Sequence, residues 1–468
     1  MGFVFYDTET TGTDTHFDQI LQFAAIKTDY ELNELERFEI RCRLLPHVVP
    51  SPGATLITGI GPSQFTHSEL PSHYEMVCAI KAKLDEWTPA IFLGHNTLSF
   101  DEHLLRQAFY KTLHVPYLTN TNRNCRADSL PMIQCLHLYA LGIVNVPLGD
   151  NQKPNFKLDQ LAPANGFNHN AAHDAMGDAE AALYLCRLLA DRADDYWSNF
   201  VRFTQKSAVL EFARDEEFFC FTVTSFGKVY PYVVCRIGEN PDYETAQFVF
   251  NLAIDPEELA LLDDIALAAR LEQRPKPVRI LRANAFPLLL AFEDIPSPIR
   301  AAMPEKCVLK TRAARIKDDG HFTQRLINAF LSTQPERALS PHVEKQIYDS
   351  FASDVDQTLM NRFHTMDWID RPKLLESLSD SRARILGERL LHAEAPEALP
   401  SSVRENHDIA IAQRLMGTNG STPWLTLPKA LADTRNMLTV ASGSDATLLL
   451  ELQDYLIDRS EKASTLLA

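Results

Sequence analysis

The most constraining feature of this sequence is an alternation of short apolar runs and longer amphipathic stretches through residues 3–192. The apolar runs have the length and composition of strands, and the amphipathic stretches show apolar residues at helical spacing. In chain order, these predicted elements cover residues 3–6, 22–28, 36–44, 91–93, 100–113, 129–141 and 175–191. Strands that alternate with helices build a sheet covered by helices. The region therefore predicts an α/β domain with a mixed sheet.

The pattern changes twice further along the chain. Residues 194–335 are rich in aromatic and β-branched residues separated by turn residues, which is typical of a β-rich domain. The strands and the one helix predicted there lie at 218–223, 228–235, 247–254 and 256–271. From about residue 338 onward, leucines recur at helical spacing. We therefore predict an α/β domain, a β-rich domain and a helical domain, with bounds at 1–192, 193–336 and 337–468.

The charge of the chain is large and unevenly distributed. The formal net charge of the 468 residues is −17, which argues against a protein that coats DNA or membranes through nonspecific positive charge. Residues 270–337, however, contain 13 basic and 7 acidic residues. The hydrophobic fraction of 45% is ordinary for a globular protein and excludes wholesale disorder. A basic segment inside an acidic protein is therefore the compositional feature to explain.

The sequence favours a soluble cytoplasmic protein. Asp7 and Glu9 lie too near the N-terminus for a signal peptide. No apolar run approaches the roughly 18–20 residues that a membrane span needs. The eight cysteines lack the two-residue spacing of zinc and redox motifs, so we expect free thiols in a reducing compartment.

Two carboxylates directly follow the first apolar run. Asp7 and Glu9 are two positions apart, so their side chains point to the same face of an extended strand. Like charges on one face repel each other unless a cation lies between them, and hard oxygen ligands of this kind suit Mg²⁺ or Mn²⁺. A solvated strand end can show the same Asp-x-Glu pattern, so the pair needs support from other residues.

A third carboxylate lies at a predicted helix start. Ser99 and Glu102 have the spacing of a capping box, which predicts that a helix begins there. Asp101 would then lie in the first turn, beside the end of the strand at 91–93. An aspartate at this position can also serve only to stabilise the helix dipole.

The last acidic element combines a carboxylate with a histidine. Asp174 is a predicted cap of the helix at 175–191, and Asp178 lies in its first turn. His173 precedes the helix and comes five positions before Asp178. An imidazole outside a helix can act as a base near neutral pH, although many loop histidines are simply solvated.

The order of these residues resembles the DEDDh family of 3′→5′ exonucleases. The shared pattern is Asp-x-Glu on a first strand, Asp at a helix start, and His followed five positions later by Asp. The resemblance implies a ribonuclease-H-like fold with His173 as general base. It also implies two Mg²⁺ ions, for which Mn²⁺ can substitute, with the ligands Asp7, Glu9, Asp101 and Asp178. Two such ions, roughly 3.5–4 Å apart, stabilise the attacking and leaving oxygens of a phosphoryl displacement.

Segments outside this motif resemble the bacterial exonuclease I family. They lie at 52–60, 156–166, 277–287 and 346–354, and so extend over most of the chain. The resemblance implies an exonuclease domain, an SH3-like β-rich domain and an all-helical C-terminal domain. It implies a monomeric enzyme that degrades single-stranded DNA to 5′-mononucleotides in DNA repair and recombination. It also implies a single-stranded DNA-binding protein as a partner.

The same resemblance assigns residues to substrate binding. The positions in the exonuclease domain are Glu9, Lys157, Arg106 and Tyr117. Lys157 stands where family members commonly have arginine, so it offers a point charge instead of a bidentate fork. The positions in the basic segment are Lys276, Arg279, Arg282 and Asn284, which we expect to follow a phosphate backbone along one β segment. Lysine and arginine on a solvated sheet edge would look the same.

Two other functions are compatible with the sequence. A DEDDh enzyme that trims RNA or proofreads DNA would carry the same motif, and a comparison of rates on DNA and RNA separates it from a single-stranded DNA exonuclease. A non-catalytic single-stranded DNA binding or docking protein would not need all five motif residues, and metal-dependent turnover excludes it.

Overall fold

A computed structural model of the protein describes residues 1–168, 173–225, 227–335, 338–418 and 420–468. Its first region contains the strands β1 (Gly2–Thr10), β2 (Ile20–Thr28), β3 (Glu34–Arg41), β4 (Ala90–Gly94) and β5 (Cys125–Asp128). They form one sheet with the order β3-β2-β1-β4-β5. β1 pairs antiparallel with β2 and β2 with β3, whereas β1, β4 and β5 run parallel. The predicted mixed sheet is therefore confirmed.

Helices cover both faces of this sheet. They are α1 (Pro52–Thr58), α2 (Pro62–Phe65), α3 (His73–Glu86), α4 (Asp101–Lys111), α5 (Ser129–Tyr139), α6 (Leu158–Ala164) and α7 (Ala175–Arg192). Alternate residues of β1 enter two different cores, as strand geometry requires. Phe3 and Phe5 pack in the core that contains α7. Val4 and Tyr6 pack in the core that contains α3 and α4.

The middle region contains a second, antiparallel sheet. Its strands are β6 (Phe219–Ser225), β7 (Lys228–Glu239), β8 (Ala246–Asn251), β9 (Val278–Arg282) and β10 (Leu288–Ala291), in the order β10-β6-β7-β8-β9. The predicted β-rich region is thus confirmed, and its SH3-like form stays a prediction. The helices around it are α8 (Asp194–Arg202), α9 (Lys206–Asp215), α10 (Pro256–Ala260), α11 (Asp264–Glu272), α12 (Ser297–Arg300), α13 (Lys306–Asp318) and α14 (Gly320–Ser332).

One predicted helix of this region is wrong in extent. The stretch at 256–271 forms the two helices α10 and α11 instead of one. The side chain of Asp263 accepts a hydrogen bond from the backbone N–H of Ala266, at 2.8 Å. A side-chain acceptor at this position caps a new helix and so favours a break in the preceding one.

The last region is helical, as predicted. Its helices are α15 (Asp354–Phe363), α16 (Arg371–Glu376), α17 (Ser381–Glu394), α18 (Ser401–Met416), α19 (Leu427–Leu438) and α20 (Gly443–Leu467). The predicted boundary between residues 336 and 337 lies outside the described residues, and the domain bounds stay predictions. Within the described parts of the chain, no helix is both long enough and apolar enough to cross a membrane.

Glu344 connects the helical region to α4. Its carboxylate accepts hydrogen bonds from Arg414 at 2.7 Å and Arg389 at 3.0 Å, and its backbone oxygen accepts one from Gln107 at 2.8 Å. Burial alone would raise the pKa of Glu344, but Arg414, Arg389 and Lys111 hold it well below its ordinary value. The ionised carboxylate therefore stabilises the contact between the two regions at neutral pH.

We expect Glu344→Gln to lower the thermal unfolding midpoint at neutral pH. Removing one partner of a buried ion pair costs about 3–5 kcal/mol, because the other charge stays buried without compensation. The folded pKa is depressed, so this stabilisation is present above the ordinary pKa of 4.5 and declines as the pH falls below it. Calorimetry at neutral and acidic pH checks both effects, with Glu405→Gln on the exposed surface of α18 as control. Equal melting of the two variants at neutral pH would contradict the assignment.

Candidate active site

Three carboxylates converge where β1 meets α7. Asp7 and Glu9 project from the same face of β1, as the sequence predicts, and Asp178 projects from the first turn of α7. One carboxylate oxygen of each lies within 4.8 Å of the other two. We call Asp7, Glu9 and Asp178 the acidic cluster.

The start of α7 is held against the sheet by its capping residue. One carboxylate oxygen of Asp174 accepts a hydrogen bond from the backbone N–H of Met176 at 3.2 Å, which confirms the predicted cap. The other oxygen accepts from Arg41 at 2.7 Å and from Gln22 at 2.9 Å. Gln22 lies opposite Glu9 in the β1–β2 register. These contacts explain why Asp178 faces Glu9.

Asp101 lies beside the acidic cluster and is held from β1. Its Oδ1 accepts hydrogen bonds from the Thr8 hydroxyl at 2.6 Å and from the Thr8 backbone N–H at 3.1 Å. The predicted capping box is wrong, because Ser99 lies in a separate 3₁₀ turn and α4 begins at Asp101 without a side-chain cap. Asp101 is nevertheless in the first turn of α4, at the end of β4, as predicted.

Glu102, the other member of the predicted capping box, is buried and accepts four hydrogen bonds. The donors are Arg106 at 2.7 Å, Thr119 at 2.7 Å, Arg126 at 3.0 Å and the Tyr6 hydroxyl at 3.1 Å. These donors come from β1, β5, α4 and the segment after α4, so one carboxylate ties together the elements that carry Asp7 and Asp101.

Several of these supporting residues were not predicted from the sequence. Thr8, Gln22, Arg41 and Arg126 carry no motif of their own, since their partners are distant in the chain. The spacing of four between Glu102 and Arg106 is the one local pattern that indicates an ion pair. Arg126 also donates a hydrogen bond to the backbone oxygen of Asn284, at 2.7 Å. It therefore joins β5 of the first region to the segment that follows β9 of the second sheet.

Burial and mutual repulsion oppose ionisation of these carboxyl groups. Burial raises the pKa of Asp7 well above its ordinary value, and Asp101, Asp178 and Glu9 raise it further. Burial, Asp178 and Asp101 raise the pKa of Glu9 to about 9. Burial also raises the pKa of Asp101 to about 7 and that of Asp178 to about 6. A divalent cation between such groups would offset the repulsion, so the donor set fits hard metal ions.

His173 lies at the edge of the acidic cluster. It is exposed, has a left-handed backbone (φ 65°), and directly precedes the capping residue of α7. Burial raises the pKa of Asp178, and His173 partly offsets that rise. Residues 169–172, which precede His173 in the chain, lie outside the described residues.

The predicted DNA contacts of the exonuclease domain differ in how far their side chains are buried. Lys157 is exposed at the start of α6. Arg106 is buried beside Glu102, and its guanidinium lies 5.5 Å from the centre of the Tyr117 ring. Tyr117 is half-buried, and its ring contacts that of Phe351 at 5.5 Å. Arg106 and Tyr117 therefore form one group at α4, and the roles of all three residues in binding stay predictions.

The predicted row of donors on the basic segment is not a single row. Lys276 lies before β9 begins, and Arg282 and Asn284 are exposed. Arg279 has the opposite parity on β9, so it projects from the other face of the sheet. Its guanidinium stacks on the Tyr232 ring at 3.6 Å. That stacking, together with strand alternation, separates Arg279 from Arg282.

A cleft of about 510 Å³ separates the first region from the second sheet. Its polar lining comes from both sides and includes Asn96, Ser99, Gln134, Ser225 and Arg282. Asn96 and Ser99 belong to the segment that leads into Asp101. The cleft therefore begins near the carboxylates and is bordered by a predicted DNA contact.

Comparison with known proteins agrees with this geometry. Residues 4–186 match the family model described as Exonuclease. Exodeoxyribonuclease I of Escherichia coli (strain K12) is 27% identical over 376 residues, which cover 76% of this chain and 78% of that protein. The crystal structure of E. coli exonuclease I in complex with a dA16 oligonucleotide has a TM-score of 0.84 at 23% identity, covering 98% of this chain and 99% of that one.

The chain is a homologue of exonuclease I. Exonuclease I of Methylocaldum szegediense, described as moderately thermophilic, has the same fold, with a TM-score of 0.85 at 23% identity over 98% of this chain. The similarity to curated exodeoxyribonucleases I covers most of the chain and confirms that this homologue is an exonuclease. The exonuclease family that residues 4–186 match implies divalent metal ions, which the carboxylate donors of the acidic cluster fit.

We expect divalent metal to raise the thermal unfolding midpoint of this exonuclease I homologue, most strongly at alkaline pH. A carboxyl group whose pKa is raised by folding binds its proton more tightly in the folded protein than in the unfolded chain. Without metal, the folded protein therefore loses stability as the pH rises from the pKa of the unfolded chain to that of the folded protein. Metal ligation needs the ionised form. The stabilisation by Mg²⁺ should therefore increase as Asp178 and then Glu9 ionise, through pKa values of about 6 and about 9.

Asp178→Asn tests this expectation by scanning fluorimetry. It removes one charge, so it should raise the metal-free midpoint at alkaline pH and weaken the shift with Mg²⁺. Asp191→Asn, at the exposed end of α7, is the matched control and should behave like the wild type. A wild-type midpoint that responds neither to Mg²⁺ nor to EDTA would contradict a metal site at the acidic cluster.

Proposed function

We propose that this chain is a Mg²⁺-dependent 3′→5′ exonuclease that degrades single-stranded DNA to 5′-mononucleotides. The observation that carries the proposal is the acidic cluster with Asp101 beside it, on the fold that exonuclease I adopts. The dA16 complex of the E. coli protein supports a single-stranded DNA substrate. The family motif and the hard oxygen donors support Mg²⁺, with Mn²⁺ as a substitute.

Asp7, Glu9, Asp178 and Asp101 would hold two metal ions. Bound there, the ions would supply charge neutralisation at the attacking and leaving oxygens of the phosphodiester. Thr8 fixes one oxygen of Asp101 through two hydrogen bonds, and Arg41 and Gln22 fix the start of the helix that carries Asp178. These contacts preorganise the ligands before a substrate arrives.

His173 is the proposed general base. It would accept a proton from the water that attacks the terminal phosphodiester, and the 3′-terminal nucleotide would leave with its 5′-phosphate. It is exposed and lies just before α7, the helix that carries Asp178, so it can reach a water at the edge of the site.

We place the single strand along the cleft between the first region and the second sheet. Arg282 borders it from one side and Asn284 follows in the turn after β9. Lys157, Arg106 and Tyr117 are the proposed contacts on the exonuclease side. Glu9 would contact the terminal nucleotide as well as metal. In this assignment the domains at 1–192, 193–336 and 337–468 are ribonuclease-H-like, SH3-like and helical, and together they restrict entry to single strands.

The remaining proposals concern the cellular setting. A monomeric cytoplasmic enzyme of DNA repair and recombination is supported by the family resemblance and by eight unpaired cysteines. Docking of a single-stranded DNA-binding protein rests on the resemblance alone. Stimulation of digestion by that protein at moderate salt is the expected result, and its absence would argue against the contact.

Digestion of end-labelled oligonucleotides tests polarity, substrate and metal dependence together. With Mg²⁺, a 3′-labelled single strand should release its label at once as a mononucleotide, and a 5′-labelled strand should shorten progressively. EDTA should stop both. Immediate release of the 5′ label would reverse the proposed polarity. Faster digestion of an RNA strand of the same sequence would favour an RNA-trimming enzyme instead.

Two substitutions test the assigned chemistry. We expect Asp178→Ala and His173→Ala to reduce the rate by several orders of magnitude without unfolding the protein, because each removes a group that acts on the reacting atoms. Rates are measured under single-turnover conditions, with circular dichroism as the test of folding and Asp191→Asn as the matched control. Robust digestion by the folded His173 variant would remove histidine from the mechanism.

A further inference from the structure

A second group of metal-binding side chains lies away from the acidic cluster, at the junction between the first region and the helical region. Cys78 is on α3, His114 follows the end of α4, and His364 follows α15. One donor atom of each lies within 4.8 Å of the other two. These residues are distant in sequence and take no part in the proposed nuclease reaction, so their convergence has no explanation in catalysis.

The donor set suits zinc. A thiolate and two imidazoles are soft and intermediate ligands of the kind that hold Zn²⁺ in a tetrahedron. Zinc bonds of about 2.3 Å to sulfur and about 2.0–2.1 Å to nitrogen place neighbouring donors roughly 3.5 Å apart. Cys78 Sγ and His114 Nε2 are 3.6 Å apart. Two of the three donors therefore already have the spacing of a tetrahedral edge.

The backbone directs His114 into this group. Leu113 has a left-handed conformation (φ 62°), which turns the chain at the end of α4 and directs His114 towards α3. An imidazole binds a metal ion through a nitrogen lone pair, and each of the two rings can offer one in its neutral form.

His364 is oriented by Tyr74 and Leu113 in this structure. Its Nδ1 is 2.9 Å from the Tyr74 hydroxyl, and its Nε2 is 3.2 Å from the Leu113 carbonyl oxygen. Its ring stacks on that of His114 with centroids 3.8 Å apart and an interplanar angle of 13°. Nearly parallel rings cannot direct their lone pairs to one point, so His364 must turn about its side-chain bonds to bind the same ion.

The neighbourhood can accommodate that turn. The Tyr74 hydroxyl would give up its bond to His364 Nδ1 but keep the hydrogen bond from Arg371, at 3.2 Å. Cys78 is only partly buried, which leaves a route for an ion from solvent. Arg371 and Lys81 add positive charge near the three ligands, whereas Glu394 and Glu75 add negative charge near Cys78. The site therefore has charges of both signs around it.

We propose that Cys78, His114 and His364 form a zinc site, with water as the fourth ligand, that cross-links the exonuclease region to the helical region. The site is separate from the catalytic carboxylates and does not rest on the proposed nuclease function. A metal ion held by segments this distant in sequence stabilises the folded arrangement over the unfolded chain, which lacks a preformed site.

Cobalt binding tests the site directly. Full-length Asp178→Asn protein, in which the carboxylate site is weakened, is stripped of metal and titrated with Co²⁺. We expect one equivalent to produce a thiolate-to-cobalt charge-transfer band in the near ultraviolet, which carboxylate ligands cannot produce, and Zn²⁺ should displace it. Absence of the band in the folded, stripped protein would overturn the proposal.

Three variants assign the ligands. In the same background, Cys78→Ser should abolish the band, and Cys307→Ser, which changes the exposed cysteine of α13, should retain it. His364→Gln removes a ligand without touching a thiol and covers the case in which Cys78→Ser does not fold. Zinc should also raise the thermal midpoint of the background protein but not that of the Cys78 or His364 variants. A band that persists without Cys78 but disappears without Cys307 would place the metal elsewhere and refute the site.

Discussion

Repulsion among buried carboxylates is the constraint on which the rest of this structure depends. Asp7, Glu9 and Asp178 lie close together with Asp101 beside them, and their raised pKa values show how unfavourable their ionisation is without a counter-charge. Side chains under such repulsion separate unless other contacts hold them. The fold supplies those contacts from outside the group, through Thr8 for Asp101 and through Arg41 and Gln22 for the start of α7.

β1 makes this arrangement possible because its two faces contact different helices. Asp7 and Glu9 face α7, and Tyr6 and Thr8 face α4. Tyr6 binds Glu102 and Thr8 binds Asp101. A single strand thus supplies two candidate ligands on one face and the anchors of a third on the other. A shift of one residue in the β1–β2 register would exchange these roles and disperse the group.

The parts of the site that depend on local periodicity could be predicted from the sequence. Strand alternation places Asp7 beside Glu9, and a cap at Asp174 places Asp178 in the first helical turn. The environment of Glu102 could not be predicted, because its four donors come together only through tertiary packing. The predicted capping box is wrong for the same reason. In a capping box the Glu102 side chain would accept one hydrogen bond from a backbone N–H, whereas the four side-chain donors together stabilise it more.

In the second sheet, too, tertiary contacts could not be predicted from the sequence. The alternation of side chains along a strand already places Arg279 and Arg282 on opposite faces of β9. Only the structure shows that the guanidinium of Arg279 stacks on the Tyr232 ring. The meeting of Cys78, His114 and His364 likewise has no local pattern, because it joins segments of three helices across two regions.

The hydrogen bond from Arg126 to residue 284 has a consequence for how this protein can change. The acceptor is a main-chain oxygen, so the link between the catalytic region and the second sheet does not depend on which side chain stands at that position. Evolution or an engineer can therefore alter the side chain of residue 284, a predicted substrate contact, and leave this link between the regions in place. Side-chain variation and interdomain geometry are separable at this residue.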